Sequence, residues 1–130
     1  MSRDLLGSLD RAVARLGEAL NAPATDLNRD ASIQRFEFCF ELAWKAIQKT
    51  LRPLGIDCAS PRASLRAAYR QGWIEEGPWL AMLADRNRTS HTYEETLAQE
   101  VYARLGGYLP ALRSLVLALR GANDESAGAG

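Results

Sequence analysis

Apolar residues in this chain recur every three or four positions, in blocks separated by proline and glycine, and that period constrains its fold more than any other feature. Leu5, Leu9, Val13, Leu16 and Leu20 lie on one stripe of a 3.6-residue helix, and Asn21-Ala-Pro-Ala ends the block. A second stripe holds Ile33, Phe36, Phe40, Trp44, Ile47 and Leu51; Asn28 or Asp30 is the expected cap, and Pro53 with Gly55 stops it. Ser60-Pro61 places a capping hydroxyl before a proline at the first helical position, which predicts a third helix running to about Gly72. Gly77-Pro78 opens a fourth, carrying Trp79, Met82 and Leu83. Thr92-x-x-Glu95 has the form of a capping box and predicts the start of a fifth. That helix carries a long seam of Leu97, Val101, Leu105, Tyr108, Leu112, Leu115 and Leu119, with an expected kink at Gly106, Gly107 and Pro110.

With no strand pattern, these blocks imply an all-α protein: an antiparallel, up-down four-helix bundle with one additional short helix. The chain has 130 residues, enough for one domain with a real core, expected over 1–121, and the Gly/Ala/Ser-rich residues 122–130 read as a flexible tail. Apolar residues make up 47% and charged residues 25%, and no apolar run reaches the roughly 18 residues of a membrane span. The N-terminus lacks the pattern of a secretory signal, and Cys39 and Cys58 form neither a CxxC pair nor a disulfide framework. The expected compartment is a reducing cytoplasm. Sixteen basic residues balance sixteen acidic ones, so any nucleic-acid contact must be local rather than a bulk electrostatic effect.

Polar residues on apolar lines mark the candidate chemistry. In Asp85-Arg86-Asn87-Arg88-Thr89-Ser90-His91-Thr92-Tyr93, Arg86 lies seven residues beyond Trp79 and three beyond Leu83. A guanidinium there needs a partner or a cavity, because an unpaired buried charge costs several kcal/mol. Glu37 lies on the second helix's apolar line and Glu41 one turn later; either is the expected partner of Arg86. His91 is the one histidine in the chain, and imidazole titrates near neutrality. Five residues on an ideal helix turn through about 500°, so Arg86 and His91 converge only if the helix ends between them or a second copy supplies one of them. A capping box at Thr92 would place His91 beside free amides that welcome an anion. Read from spacing alone, a structural corner, with a capping histidine and an ion-paired arginine, stands beside a phosphate-handling site.

Two stretches carry a family resemblance. Arg29-Asp-Ala-Ser-Ile-Gln-Arg-Phe-Glu-Phe-Cys-Phe-Glu-Leu-Ala-Trp-Lys45 and Trp79-Leu-Ala-Met-Leu-Ala-Asp-Arg-Asn-Arg-Thr-Ser-His-Thr-Tyr93, with Ser60-Pro61-Arg62 between them, resemble the HepT-like branch of the HEPN superfamily, also called nucleotidyltransferase substrate-binding proteins. The resemblance implies a HEPN-like bundle acting as a homodimeric, metal-independent ribonuclease, with no cofactor, in which an RNA 2′-hydroxyl attacks the adjacent phosphodiester. It implies His91 as general base or acid, Arg86 as stabiliser of transition-state charge, and Asn87 as an orienting group. It further implies a type VII toxin–antitoxin pair, in which a cognate minimal nucleotidyltransferase silences the toxin by attaching AMP to Tyr93. The alternative is a non-catalytic subunit that presents substrate to that transferase. Two basic rows, Arg62/Arg66/Arg70 and Lys45/Lys49/Arg52, have the spacing of helix faces and are open to RNA, to an acidic partner or to solvent. Trp44, Trp73 and Trp79 read as core or interface aromatics.

Overall fold

The computed structural model describes residues 4–129, and the side chains of 4–124. Five helices follow in order: α1 (Leu5–Asn21), α2 (Asp26–Leu51), α3 (Pro61–Arg70), α4 (Glu76–Arg88) and α5 (Glu95–Ala129), with no strand among the described residues. Short 3-10 turns extend α2 at Arg52–Leu54 and α4 at Thr89–His91.

Each boundary has a local cause. The Asp4 carboxylate accepts from the amide of Gly7 and starts α1. The hydroxyl of Thr25 accepts from the amide of Asn28 and caps α2, three to five residues before the caps expected from sequence. Asn28 instead turns its side-chain amide to the carbonyl of Ala19, at 2.9 Å, and ties the two helices together. Ser60 caps α3 by accepting from Ala63, and Pro61 fills the first position. Gly55 and Gly72, each at φ 78°, turn the chain out of the elements before them, a left-handed conformation that glycine adopts without the Cβ clash.

The Thr92 capping box does not form. Thr92 donates to the carbonyl of Thr89, Thr89 donates to that of Arg86 and Ser90 to that of Asn87, so these hydroxyls satisfy the orphan carbonyls ending α4. A hydroxyl both donates and accepts, and here the nearest unsatisfied groups behind it are carbonyls. α5 opens at Glu95, and the amide of Ala98 bonds back to the carbonyl of Glu94. Pro110 lies within α5, which continues past it; the interruption at Gly106, Gly107 and Pro110 does not end the helix. The helix also enters the stretch expected to be a tail, and the side chains beyond Asp124 lie outside the described residues.

α1, α2 and α5 pack against one another as the body of the bundle, and α3 and α4 close the remaining side against α2 and α5. The stripes meet as their periods require: Leu9 and Leu16 from α1, Phe36, Phe40 and Ile47 from α2, Trp79 and Met82 from α4, and Leu105, Leu112 and Leu115 from α5 are all buried. The rings of Phe36 and Tyr108 stack at 5.6 Å, and Phe40 meets Trp79 at 6.4 Å. Each such aromatic contributes about 2–3 kcal/mol by leaving water. Cys39 lies within this core, where burial pushes its thiol up to about 12, so it packs as a small apolar residue. No helix among the described residues is long and apolar enough to cross a membrane.

Candidate functional site

The C-terminal turn of α4 carries two charged neighbours with different surroundings. Asp85 is fully buried. Its Oδ1 accepts from Arg88 at 2.8 Å and from Arg104 Nη2 at 2.7 Å, while Oδ2 accepts from Arg104 Nε at 2.8 Å and from the Tyr108 hydroxyl at 2.6 Å. Arg104 thus grips the carboxylate with two parallel N–H bonds, the strongest geometry open to the pair. Burial by itself would raise the pKa of Asp85, but the hydrogen bonds from Arg104, Tyr108 and Arg88 outweigh it and hold the carboxyl below its usual range. Burial and the bond to Asp85 push the Tyr108 hydroxyl up to about 12. Sequence reasoning passed over this cluster. Asp85 lies three residues beyond Met82, and Tyr108 is on the α5 seam with Arg104 one turn before it; a carboxylate on an apolar line was the available signal.

Arg86 turns instead toward α2. Its Nη2 donates to Glu41 Oε1 at 2.5 Å, and its Nη1 reaches Asn87 Oδ1 at 3.4 Å. The guanidinium carbon lies 5.8 Å from the centroid of the Phe40 ring, a cation–π placement. Glu41 is held from its other side: Trp44 Nε1 donates to Oε2 at 2.8 Å, and Lys45 Nζ lies 3.9 Å away. Burial raises the pKa of Glu41, but the bonds from Arg86 and Trp44 outweigh it and keep the carboxylate ionised. Of the two carboxylates expected beside Arg86, Glu41 makes the bond. Glu37 makes none, and its pKa is raised by burial, opposed by the charge of Arg86. The Arg86 side chain remains 32% exposed, and two of its five N–H donors are engaged; the rest face outward.

α4 ends at Arg88, between Arg86 and His91, so one of the two geometric conditions for their convergence is met. His91 closes the 3-10 turn, exposed, its ring edge-on to that of Tyr93 at 6.0 Å. No hydrogen bond joins the imidazole of His91 to Arg86 or to any other described residue. The hydroxyls of Thr89 and Thr92 face the carbonyl end of α4, while α5 opens at Glu95 just after the amide of Glu94 bonds to the carbonyl of His91. Asn87 is exposed beside Arg86, and Tyr93 is 79% exposed. A groove of about 540 Å³ runs from Tyr93 and Thr92 along α2 past Glu37, Gln34 and Asp30. Among the described residues no cluster of histidine, cysteine or carboxylates has the form of a metal site. Between residues 86 and 93, one protomer therefore presents an arginine with spare donors, an imidazole with no hydrogen bond among the described residues, an amide and an accessible phenol.

Residues 4–120 match the model of the family described as nucleotidyltransferase substrate binding protein like. A Haemophilus influenzae protein named "Probable ribonuclease HepT" is 36% identical over 99 residues, which are 72% of this chain and 68% of that protein. Among solved structures, a chain from Thermus thermophilus superposes with a TM-score of 0.80 at 37% identity, over 86% of this chain and 98% of that one. A Haemophilus influenzae structure that revealed the fold of a substrate binding domain of a nucleotidyltransferase gives 0.77 at 28% identity, over 88% and 98%.

Proposed function

The chain belongs to the nucleotidyltransferase substrate binding protein like family, whose HepT-like members it resembles, and on that premise we propose that it is a metal-independent endoribonuclease silenced by a cognate nucleotidyltransferase. One observation carries the reading. Arg86 is oriented by Glu41 and Phe40 yet keeps spare donors, and five residues on, past the end of α4, the chain's one imidazole is exposed and makes no hydrogen bond among the described residues.

His91 takes the proton of an RNA 2′-hydroxyl. The oxygen attacks the neighbouring phosphorus, the bond to the 5′-oxygen breaks, and that oxygen leaves with a proton supplied by an imidazolium. The products are a 2′,3′-cyclic phosphate and a 5′-hydroxyl. Arg86 donates to the phosphoryl oxygens as their charge grows, a role suited to a planar, permanently charged group. Asn87 positions the phosphate. The exposed corner of one protomer makes only half a cleft, and a second copy across a two-fold axis completes it, so that two imidazoles serve as base and acid. The Tyr93 hydroxyl, beside His91 and open to solvent, is the acceptor for AMP; the added bulk and charge then obstruct RNA. The pair forms a type VII toxin–antitoxin module.

Expression of the chain without its transferase tests the reading. Growth arrest with fragmented RNA, relieved by His91→Ala, is expected. Harmless expression with intact RNA would instead leave a subunit that presents substrate to the transferase.

A further inference from the structure

One face of α3 carries three cations that make no ion pair among the described residues. Arg62, Arg66 and Arg70 are all exposed, and among the described residues none of their guanidinium groups makes an ion pair or a hydrogen bond. Several guanidinium groups elsewhere are matched: Arg88 and Arg104 by Asp85, Arg120 by Asp10, Arg86 by Glu41. Spaced four residues apart, the three place positive charge along a single line of α3. Four residues advance about 6 Å along a helix, so the three heads form a ladder on the scale of successive nucleotides. They line a groove of about 430 Å³ with Ser60 and Cys58, in which Asp57 is the one carboxylate.

The groove is tied to the candidate site through α2. Gln48 donates its side-chain amide to the carbonyl of Cys58 at 2.6 Å and fixes the groove wall against that helix. Gln48 lies seven residues beyond Glu41, the residue that orients Arg86. Seven residues return to nearly the same helix face about 10 Å farther along the axis. Lys45 stands between the two, half-exposed and beside Glu41. Through Glu41 and Gln48, α2 thus connects the Arg86 end of the molecule to the wall of the arginine-lined groove, with Lys45 between them in sequence.

Resting on the ribonuclease reading above, we infer that Arg62, Arg66 and Arg70 bind the phosphate backbone of the RNA strand a few nucleotides from the scissile bond. Charge rather than base identity holds the strand there. The ladder sits on α3 rather than among the reacting groups that end α4, so it contributes equally to substrate and transition state; its loss raises KM and leaves kcat in place.

Fluorescence anisotropy with a 2′-O-methylated RNA of about twelve nucleotides, which cannot be cleaved, tests the surface without turnover. The R62A/R66A/R70A variant is expected to bind at least tenfold more weakly at low salt. Its slope of log K against log salt should fall by about 2, since each single-strand phosphate contact contributes about 0.7. With cleavable RNA, KM should rise for the long strand and not for a dinucleotide. The substitutions sit at exposed helical positions that alanine favours, and circular dichroism checks the fold. Unchanged affinity and slope would overturn the inference, as would a wild-type chain that binds no RNA, or a variant that keeps RNA and loses the co-expressed transferase. A wild type that binds RNA through the ladder yet cuts nothing would retire the ribonuclease reading alone.

Discussion

Asp85 and Arg86 are neighbours on α4, about 100° apart around its axis, and they face different fates. Asp85 points inward, where four donors fill the acceptor sites of its carboxylate and lock α4 to α5. Arg86 points across to α2, is gripped by Glu41 on one side, and keeps donors free toward solvent. The first arrangement is complete within the molecule. The second has spare capacity, five residues before an exposed imidazole that no described residue hydrogen-bonds. Saturation, rather than charge or burial alone, separates the residue that holds the fold from the residue available for chemistry.

Substitutions on the two sides should break this contrast in opposite ways. On the open side, His91→Ala should lower RNA cleavage about 10³–10⁴-fold, the scale of losing a positioned proton-transfer group, and Arg86→Ala about 10²–10³-fold. Both should melt near the wild type, because the groups are exposed or only partly buried; calorimetry beside a cleavage assay separates the effects. On the closed side, Arg104→Ala leaves a buried carboxylate short of its best partner and should cost about 3 kcal/mol, roughly a hundredfold in the folding equilibrium, read by urea denaturation. Its cleavage per folded molecule should stay within a few-fold of wild type. A stable Arg104→Ala protein that cannot cleave would erase the distinction between the two sides.

Acidity sharpens the same contrast. The folded pKa of Asp85 lies below its ordinary value, so its contribution is fully present above the unfolded carboxylate pKa of about 3.9 and is lost as pH falls through the depressed folded value. The stability gap between wild type and Asp85→Asn should therefore hold from neutral pH to about pH 5 and close below about pH 4. A gap that persisted undiminished at pH 2 would mean the carboxylate's charge is not what matters. The smallest expected effect is on cleavage by Tyr93→Phe, which should stay within about twofold, since only an exposed hydroxyl is lost. The same variant should accept no AMP from the transferase, as mass spectrometry would show.

Much of the fold was legible because helical periodicity and proline–glycine punctuation are local signals. The stripes of Leu9, Phe36, Trp79 and Leu112 all reach the core, and Ser60 caps where its position before Pro61 suggests. Boundaries set by competition between polar groups were harder to read. Thr25 rather than Asn28 or Asp30 caps α2 because Asn28 is engaged by Ala19, across a helix pair no local pattern reveals. Thr92 resembles a cap, but the carbonyl end of α4 claims its hydroxyl first. At the site, the line that carries Arg86 pointed to Glu37 or Glu41, and geometry selected Glu41, one turn nearer Trp44 and Lys45. The Asp85–Arg104–Tyr108 cluster escaped notice because Asp85 lies about twenty residues from both of its α5 partners, a pairing no local pattern reveals.

The central claim is that the open corner of α4 cuts RNA through its own side chains. The direct measurement is end analysis of a labelled RNA incubated with purified chain in excess EDTA, wild type beside His91→Ala. Fragments ending in 2′,3′-cyclic phosphate from the wild type, and none from His91→Ala, are predicted. Intact RNA in both, or identical fragments from both, would contradict the claim.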